Sequence, residues 1–358
     1  MDAPQVDHYA RFALPRGFEP RPELVLPETR VERPRYGVID AHNHLGELLS
    51  ANWHLRPIEE LLVLLDEAGV QLLVDLDGGW GEKILDAHLA HFKEGAPDRF
   101  ACFGGVDWTR WQDLRDAFPA EASSRLATQV QRGAQGLKVW KNFGLHVRDH
   151  HGRRVAADDP RLEVLWSTAA DLDIPVLMHI GDLAAFFRPL DRHNERYYLL
   201  SRHPDWHVHG AGFPSHEQLL AELRSLVERH RDTVFIAAHM ACDAGHLARL
   251  GELLGACPNL HVDLSAAVDE LGRQPRAARR FFVEHADRIL FGTDRPPELA
   301  SYRLHYRFLE TADEHFASPL GAKPGKSWPI HGLDLPDAVL ERVYRGNAAR
   351  LLGLPSGS

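Results

Sequence analysis

Cysteine is scarce in this chain: Cys102, Cys242 and Cys257 are three in 358 residues, and no two form a CxxC pair. That excludes a disulfide framework and a thiolate zinc knuckle, and leaves small buried thiols of a reducing compartment. No apolar run approaches the roughly 20 residues that span a bilayer, and the N-terminus lacks a charged-then-apolar leader. The chain therefore reads as cytoplasmic, with no membrane partner. Long basic runs are missing too. Lys and Arg number 41 against 51 Asp and Glu, a net charge of -10, so no broad nucleic-acid footprint is expected. No GxGxxG follows the first strand pattern, which removes the main sign of an open dinucleotide-binding sheet. Internal repeats and low-complexity tracts are also lacking.

What is present is enough apolar material for a full core, 44% of residues, with 26% charged. Residues 1–36 are rich in Pro and Arg and aperiodic, and read as an arm over the surface of a catalytic domain spanning 37–358. From Gly37 onward short apolar runs alternate with longer amphipathic ones, the βαβα pattern of a parallel sheet. The expected strands are Gly37–Ala41, Gln71–Leu76, Phe100–Val106, Gly136–Trp140, Ile174–His179, Thr233–Ala238, Leu260–Leu264 and Arg288–Gly292. Helical spacing marks Pro57–Ala68, Leu162–Leu172, His216–Val227, Gly245–Leu254 and Arg276–His285. After the eighth strand, helices are expected over Leu299–Phe316 and Pro336–Leu352, separated by a Gly/Pro/Lys-rich loop, Ser318–His331. Eight strand–helix repeats in about 260 residues match the size of a closed barrel. The fold class is α/β, a (β/α)8 TIM barrel with an N-terminal arm and C-terminal helices.

The chemistry gathers at the strand ends, where barrel enzymes build their active sites. Strand one ends in Asp40-Ala41-His42-Asn43-His44. Residues two apart in an extended segment point the same way, so His42 and His44 can face one ion. Strand four carries Lys138, strand five ends at His179, strand six at His239 and strand eight at Asp294. Singly each is weak: His179 could be a core histidine, Asp294 a helix cap, Lys138 an ion-pair partner. Their shared position at successive strand ends is what points to a divalent metal. Imidazoles with one carboxylate suit zinc, with manganese or iron as alternatives.

The set Asp-Ala-His-Asn-His, Met-His-Ile-Gly-Asp, Ala-His-Met-Ala and Phe-Gly-Thr-Asp resembles the amidohydrolase superfamily. More narrowly it resembles the amidohydrolase-related branch that includes metal-dependent decarboxylases and lactonases, over roughly residues 37–353. The resemblance implies that His42, His44, His179 and Asp294 hold the metal. Asp294 would also take a proton from water, and His239 would assist catalysis or join Lys138 at a second metal, one ion being favoured over two. It implies hydrolysis of an amide, lactone or ester. The alternatives are non-oxidative decarboxylation of an aromatic or unsaturated acid, or a catalytically silent metal- or ligand-binding barrel.

Substrate contacts are expected from the loops. Trp140 and Lys141 follow strand four. A long insertion, Gly181–Phe213, carries Arg192 and His193, and Arg273 and Arg295 are further cations. Loops of this length are often lids, and Arg clamps carboxylates well. The expected partner is a small polar or carboxylate-bearing molecule, with a homo-oligomer left open through the arm and the Ser318–His331 loop.

Overall fold

The computed structural model describes residues 23–47, 52–318 and 328–355. Its strands are β1 (Val38–Asn43), β2 (Val70–Asp75), β3 (Phe100–Cys102), β4 (Gly104–Gly105), β5 (Leu137–Val139), β6 (Val176–Met178), β7 (Phe235–Ala237), β8 (Leu260–Asp263) and β9 (Ile289–Leu290). They pair in parallel and in chain order, as β1-β2-β3 and β4 through β9. β3 and β4 flank Phe103 and serve as one stave that changes partners midway. The Phe103 N–H donates to the Asp75 carbonyl and the Gly104 N–H to the Gly136 carbonyl, both at 2.9 Å. Glycine is required in this stave, because a Cβ on Gly105 would lie 2.3 Å from the Gly79 Cα. The ring closes where the Ala41 N–H donates to the Phe291 carbonyl and the Asp294 N–H to the His42 carbonyl, each at 2.9 Å. The fold is a (β/α)8 TIM barrel.

Two apolar layers explain why the strands read as continuous hydrophobic runs. Leu72, Val74, Ala101, Leu177 and Ile236 pack within the barrel, while their neighbours Leu73, Phe100, Val176 and Phe235 join the larger layer beneath the helices. That outer ring is Ile58–Ala68, Glu82–His88, Phe118–Gln131, Glu163–Asp171, His216–Arg229, Leu247–Ala256, Pro275–Glu284 and Leu299–Glu310. Each expected strand and each named helix is present, with ends displaced by a few residues.

One expectation about the C-terminal part needs correction. The helix expected over Leu299–Phe316 stops at Glu310. Thr311 turns the chain, its Oγ1 donating to the Arg307 carbonyl at 2.8 Å. The closing helix expected over Pro336–Leu352 is present over 337–351, with right-handed backbone throughout and one π bulge at Arg342–Gly346. Within the bulge the Val343 carbonyl accepts the Phe291 N–H at 2.9 Å, tying this segment to the end of β9.

Residues 1–22 of the arm lie outside the described residues, as does most of the Ser318–His331 loop. Within 23–36 the arm runs over the surface. Thr29 donates from its N–H and its hydroxyl to Asp313, each at 2.7 Å. The three cysteines are buried and unpaired. Among the described residues no helix is long and apolar enough to cross a membrane.

Candidate metal centre at the barrel mouth

His42 and His44 emerge from the end of β1 and are buried. The His42 Nδ1 lies 2.9 Å from Asp263 Oδ2, and the His44 Nδ1 lies 2.7 Å from Asp77 Oδ1. A carboxylate only accepts, so both Nδ1 atoms carry the proton and both Nε2 lone pairs are left for the barrel centre. His239 is fixed in the same tautomer, with its Nδ1 donating to the Ser265 carbonyl at 2.9 Å. His179, following β6, is 4.5 Å ring to ring from His239, and its buried Nε2 has no partner.

Asp294 sits among these rings. Its Oδ1 is 3.4 Å from His44 Nε2 and 3.8 Å from His42 Nε2, and its Oδ2 is 3.9 Å from His239 Nε2. Its backbone is left-handed, φ 49°, a conformation Asp tolerates better than most residues. Burial pushes the Asp294 carboxyl up, but His42, His44, His239 and the Lys138 ammonium outweigh it and hold the group below its ordinary range. Burial, helped by Lys138, lowers His42 to about 4, and burial lowers His179 well below its usual value. Imidazole nitrogens beside an ionised carboxylate are the donor set a divalent cation takes. The orphaned His179 Nε2 is the further sign that these residues fit one.

His239 begins a strained turn. His239, Met240, Ala241 and Cys242 all have φ between 54° and 58°. Left-handed backbone costs L-residues roughly 1–2 kcal/mol each, so the surroundings must impose it. The Asp263 carboxylate does part of this by accepting the His239 N–H at 3.0 Å. Asp263 thus positions His42 and His239 together. Its carboxyl is held far below the usual range despite burial, chiefly by His42.

Lys138 projects from β5 with its Nζ 3.3 Å from His42 Nε2, and burial lowers it to about 8. Trp140 is behind the centre, its ring stacked 4.8 Å from His44 and 4.0 Å from Trp80. Lys141 lines the cavity above and pairs with Asp182 at 2.8 Å. That cavity is about 290 Å³ and is lined by His179, His239, Asp294 and Arg295 on the centre's side. The insertion Gly181–Phe213 forms one wall, through Leu183, Phe186, Arg196, Leu199 and Trp206.

Three expected substrate contacts are not brought there. Arg192 and His193 are exposed and bond to each other at 3.1 Å. Arg273 pairs with Glu195 at 3.1 Å and stacks over Trp328. None of the three lines the cavity. The insertion folds so that Arg196 turns inward, and its chain neighbours point to solvent. The sequence reading missed Arg196, Glu270, Asp77 and Asp263. The last was findable, because Asp263 ends the seventh stave just as His179 and His239 end theirs.

A parallel barrel that gathers four imidazoles and a carboxylate at the carboxyl ends of its strands has them where TIM-barrel enzymes build their active sites. The family profile for amidohydrolases matches residues 39–354, and the chain belongs to that family. Solved structures share the fold at low identity. A 2,6-dihydroxybenzoate decarboxylase from Rhizobium is 17% identical over 89% of this chain and 99% of its own, with a TM-score of 0.55. A putative amidohydrolase from Staphylococcus aureus is 16% identical over 88% and 99%, with a TM-score of 0.55. An amidohydrolase from Burkholderia multivorans, solved with bound zinc, is 16% identical over 89% and 99%, with a TM-score of 0.50. Searched against curated proteins, the sequence matches none.

Proposed function

We propose that this protein is a metal-dependent hydrolase that cleaves a C–N or C–O bond, in an amide, lactone or ester, of a small polar or carboxylate-bearing molecule. The observation that carries the reading is the convergence of fixed Nε2 lone pairs on Asp294, whose oxygens lie 3.4–3.9 Å from His44, His42 and His239. His42, His44, His179 and Asp294 would hold one divalent ion, with zinc favoured over manganese or iron. When bound, such an ion supplies Lewis-acid polarisation and lowers the pKa of water from about 15.7 to about 7.

The chain's own groups do the rest. Asp294 accepts the proton of the attacking water and returns it to the leaving group. His239, locked through Nδ1, presents Nε2 beside that carboxylate and orients the reacting oxygen. Arg295 follows Asp294 in sequence and lines the cavity, with no ion-pair partner within 4 Å among the described residues. It orients a substrate carboxylate.

Decarboxylation is the second reading. It is favoured by the apolar wall of Leu183, Phe186, Leu199 and Val268 facing the same cavity as Arg295, which suits a flat aromatic acid. The Rhizobium relative of that fold is named as such a decarboxylase. Carbon dioxide release against water consumption separates the two.

Protein stripped with a chelator and reloaded with zinc is expected to retain one equivalent per chain by elemental analysis. Two equivalents would remove the one-ion reading, with Lys138 and His239 then the further ligands. Retention of none would remove the metal altogether.

A further inference from the structure

One imidazole of the cavity takes no part in the proposed chemistry. His305 is carried on the helix Leu299–Glu310 and lines the cavity together with Thr293, Asp294 and Arg295. The residue is only 1% exposed. Its Nδ1 lies 2.7 Å from the Ser301 carbonyl, four residues back in the same helix. A carbonyl only accepts, so Nδ1 carries the proton and Nε2 carries a lone pair. With Nδ1 turned back to its own helix, the opposite edge of the ring, which holds Nε2, is the part that reaches the cavity. No described residue bonds this Nε2, and it is open to the cavity rather than sealed in the packing.

Its surroundings make this atom an acceptor and nothing else. Burial lowers the ring from 6.5 to about 4, with the Arg295 guanidinium acting in the same direction, so the imidazole is neutral at pH 7. The bond to Ser301 holds the tautomer. A neutral acceptor near a guanidinium selects what it meets. A carboxylate would set its own lone pairs against Nε2. An ammonium would be repelled by Arg295. An apolar group would strip water from Nε2 and leave it unbonded, at roughly 1–3 kcal/mol. A neutral O–H or N–H satisfies it without bringing a charge.

We infer that His305 is a specificity-determining residue, whose Nε2 accepts a hydrogen bond from a neutral hydroxyl or N–H group that the substrate carries besides its carboxylate. The inference rests on the proposed function only in that Arg295 holds that carboxylate.

The test is calorimetry on full-length zinc-loaded protein. The probes are 3- and 4-hydroxybenzoate and 3- and 4-aminobenzoate, each with a neutral donor. They are compared with 3- and 4-methylbenzoate, of similar size and without one. At one ring position a donor probe is expected to bind about tenfold more tightly than its methyl counterpart, the difference between a bonded and a desolvated acceptor. Whether the hydroxy or the amino probe shows the gain tells O–H from N–H. His305→Phe should remove the gain and leave the methyl probe's Kd unchanged, and His305→Leu serves if the phenylalanine variant does not fold. Equal affinity of donor and methyl probes at both positions, or a gain that survives loss of the imidazole, overturns the proposal. An aminomethylbenzoate as tight as the best donor probe overturns the assignment of a neutral group. Arg295→Met should weaken every benzoate alike. If it does not, the carboxylate reading of Arg295 fails while the comparison at His305 stands. If no benzoate binds, the reading of Arg295 fails instead, and His305 is decided by hydroxy- and methylbenzohydroxamates anchored at the zinc. No gain in that pair overturns the proposal.

Discussion

Replacing Asp294 by asparagine lowers kcat by about a thousandfold, within the range of roughly 10²–10⁴ that a positioned acid–base group contributes. Asparagine keeps the size of the side chain and one oxygen for a cation, but it has no basic oxygen to accept a proton. The native carboxyl lies below its ordinary range and is ionised at neutral pH, so it has an oxygen free to accept a proton. The measurement is turnover of any small ester, lactone or amide that the zinc-loaded protein cleaves, with metal content and circular dichroism followed in parallel. Unchanged turnover with metal retained would remove Asp294 from the proton transfer. Loss of metal along with turnover would make its role that of a ligand.

The second large effect is structural and lies one layer beneath the centre. Asp40 is fully buried at the seam where β1 meets the end of β9. Its carboxylate accepts the Thr293 N–H at 3.1 Å, the Thr293 hydroxyl at 2.8 Å, Asn43 Nδ2 at 2.9 Å and the Tyr302 hydroxyl at 3.0 Å. These bonds fasten the chain beside His42 to the chain beside Asp294. Burial still raises the Asp40 pKa to about 6. Asp40→Ala would orphan several donors in a closed interior, at roughly 1–3 kcal/mol for each that water cannot reach. The expected loss is at least about 3 kcal/mol of unfolding free energy, read from urea denaturation, together with weaker zinc retention. A loss below about 1 kcal/mol, the size of an average substitution, would show that the seam does not depend on this carboxylate.

The raised pKa of Asp40 also sets a sign for pH. A carboxyl whose folded pKa exceeds its unfolded one binds protons more readily when folded. Asp40 alone therefore favours the folded state as pH falls from about 6 towards 4. His261 and His305 oppose it, because burial lowers each from 6.5 to about 4. The unfolded chain takes up their protons first, so their contribution is lost as pH falls through that window. His42 and His179, lowered by burial in the same way, add to them, so the metal-free protein is expected to lose stability between pH 6.5 and 4, measurable as a falling Tm. A Tm that rises on acidification would contradict this balance.

The eight strands were legible because both faces of each are buried, which leaves short continuous apolar runs between longer amphipathic ones. His42, His44, His179, His239 and Asp294 were legible for a related reason. A polar residue at the end of an apolar strand has few places to be except the barrel mouth. Asp263 obeys the same rule and could have been read. Arg196 could not: it stands among Arg192, His193 and Glu195 in an insertion without periodicity. Which of these turns inward depends on Glu270, 74 positions away. The same holds for Arg273, which the sequence offered as a substrate contact and the fold gives to Glu195 and Trp328.

The π bulge in the closing helix at Arg342–Gly346 was hidden for a comparable reason. One carbonyl within it, that of Val343, is bonded to the end of β9, and no local preference announces such a bond. The sequence by itself determined the barrel and the identity of the five groups at its mouth, since short apolar runs and the polar residues that end them are local properties of the chain. Only the tertiary structure decided which nitrogen of each histidine faces the centre, which arginines reach the cavity, and that Asp269 and Glu270 border it. Each of those depends on a partner distant in sequence, and hydrogen bonds across a barrel leave no periodic trace along the chain.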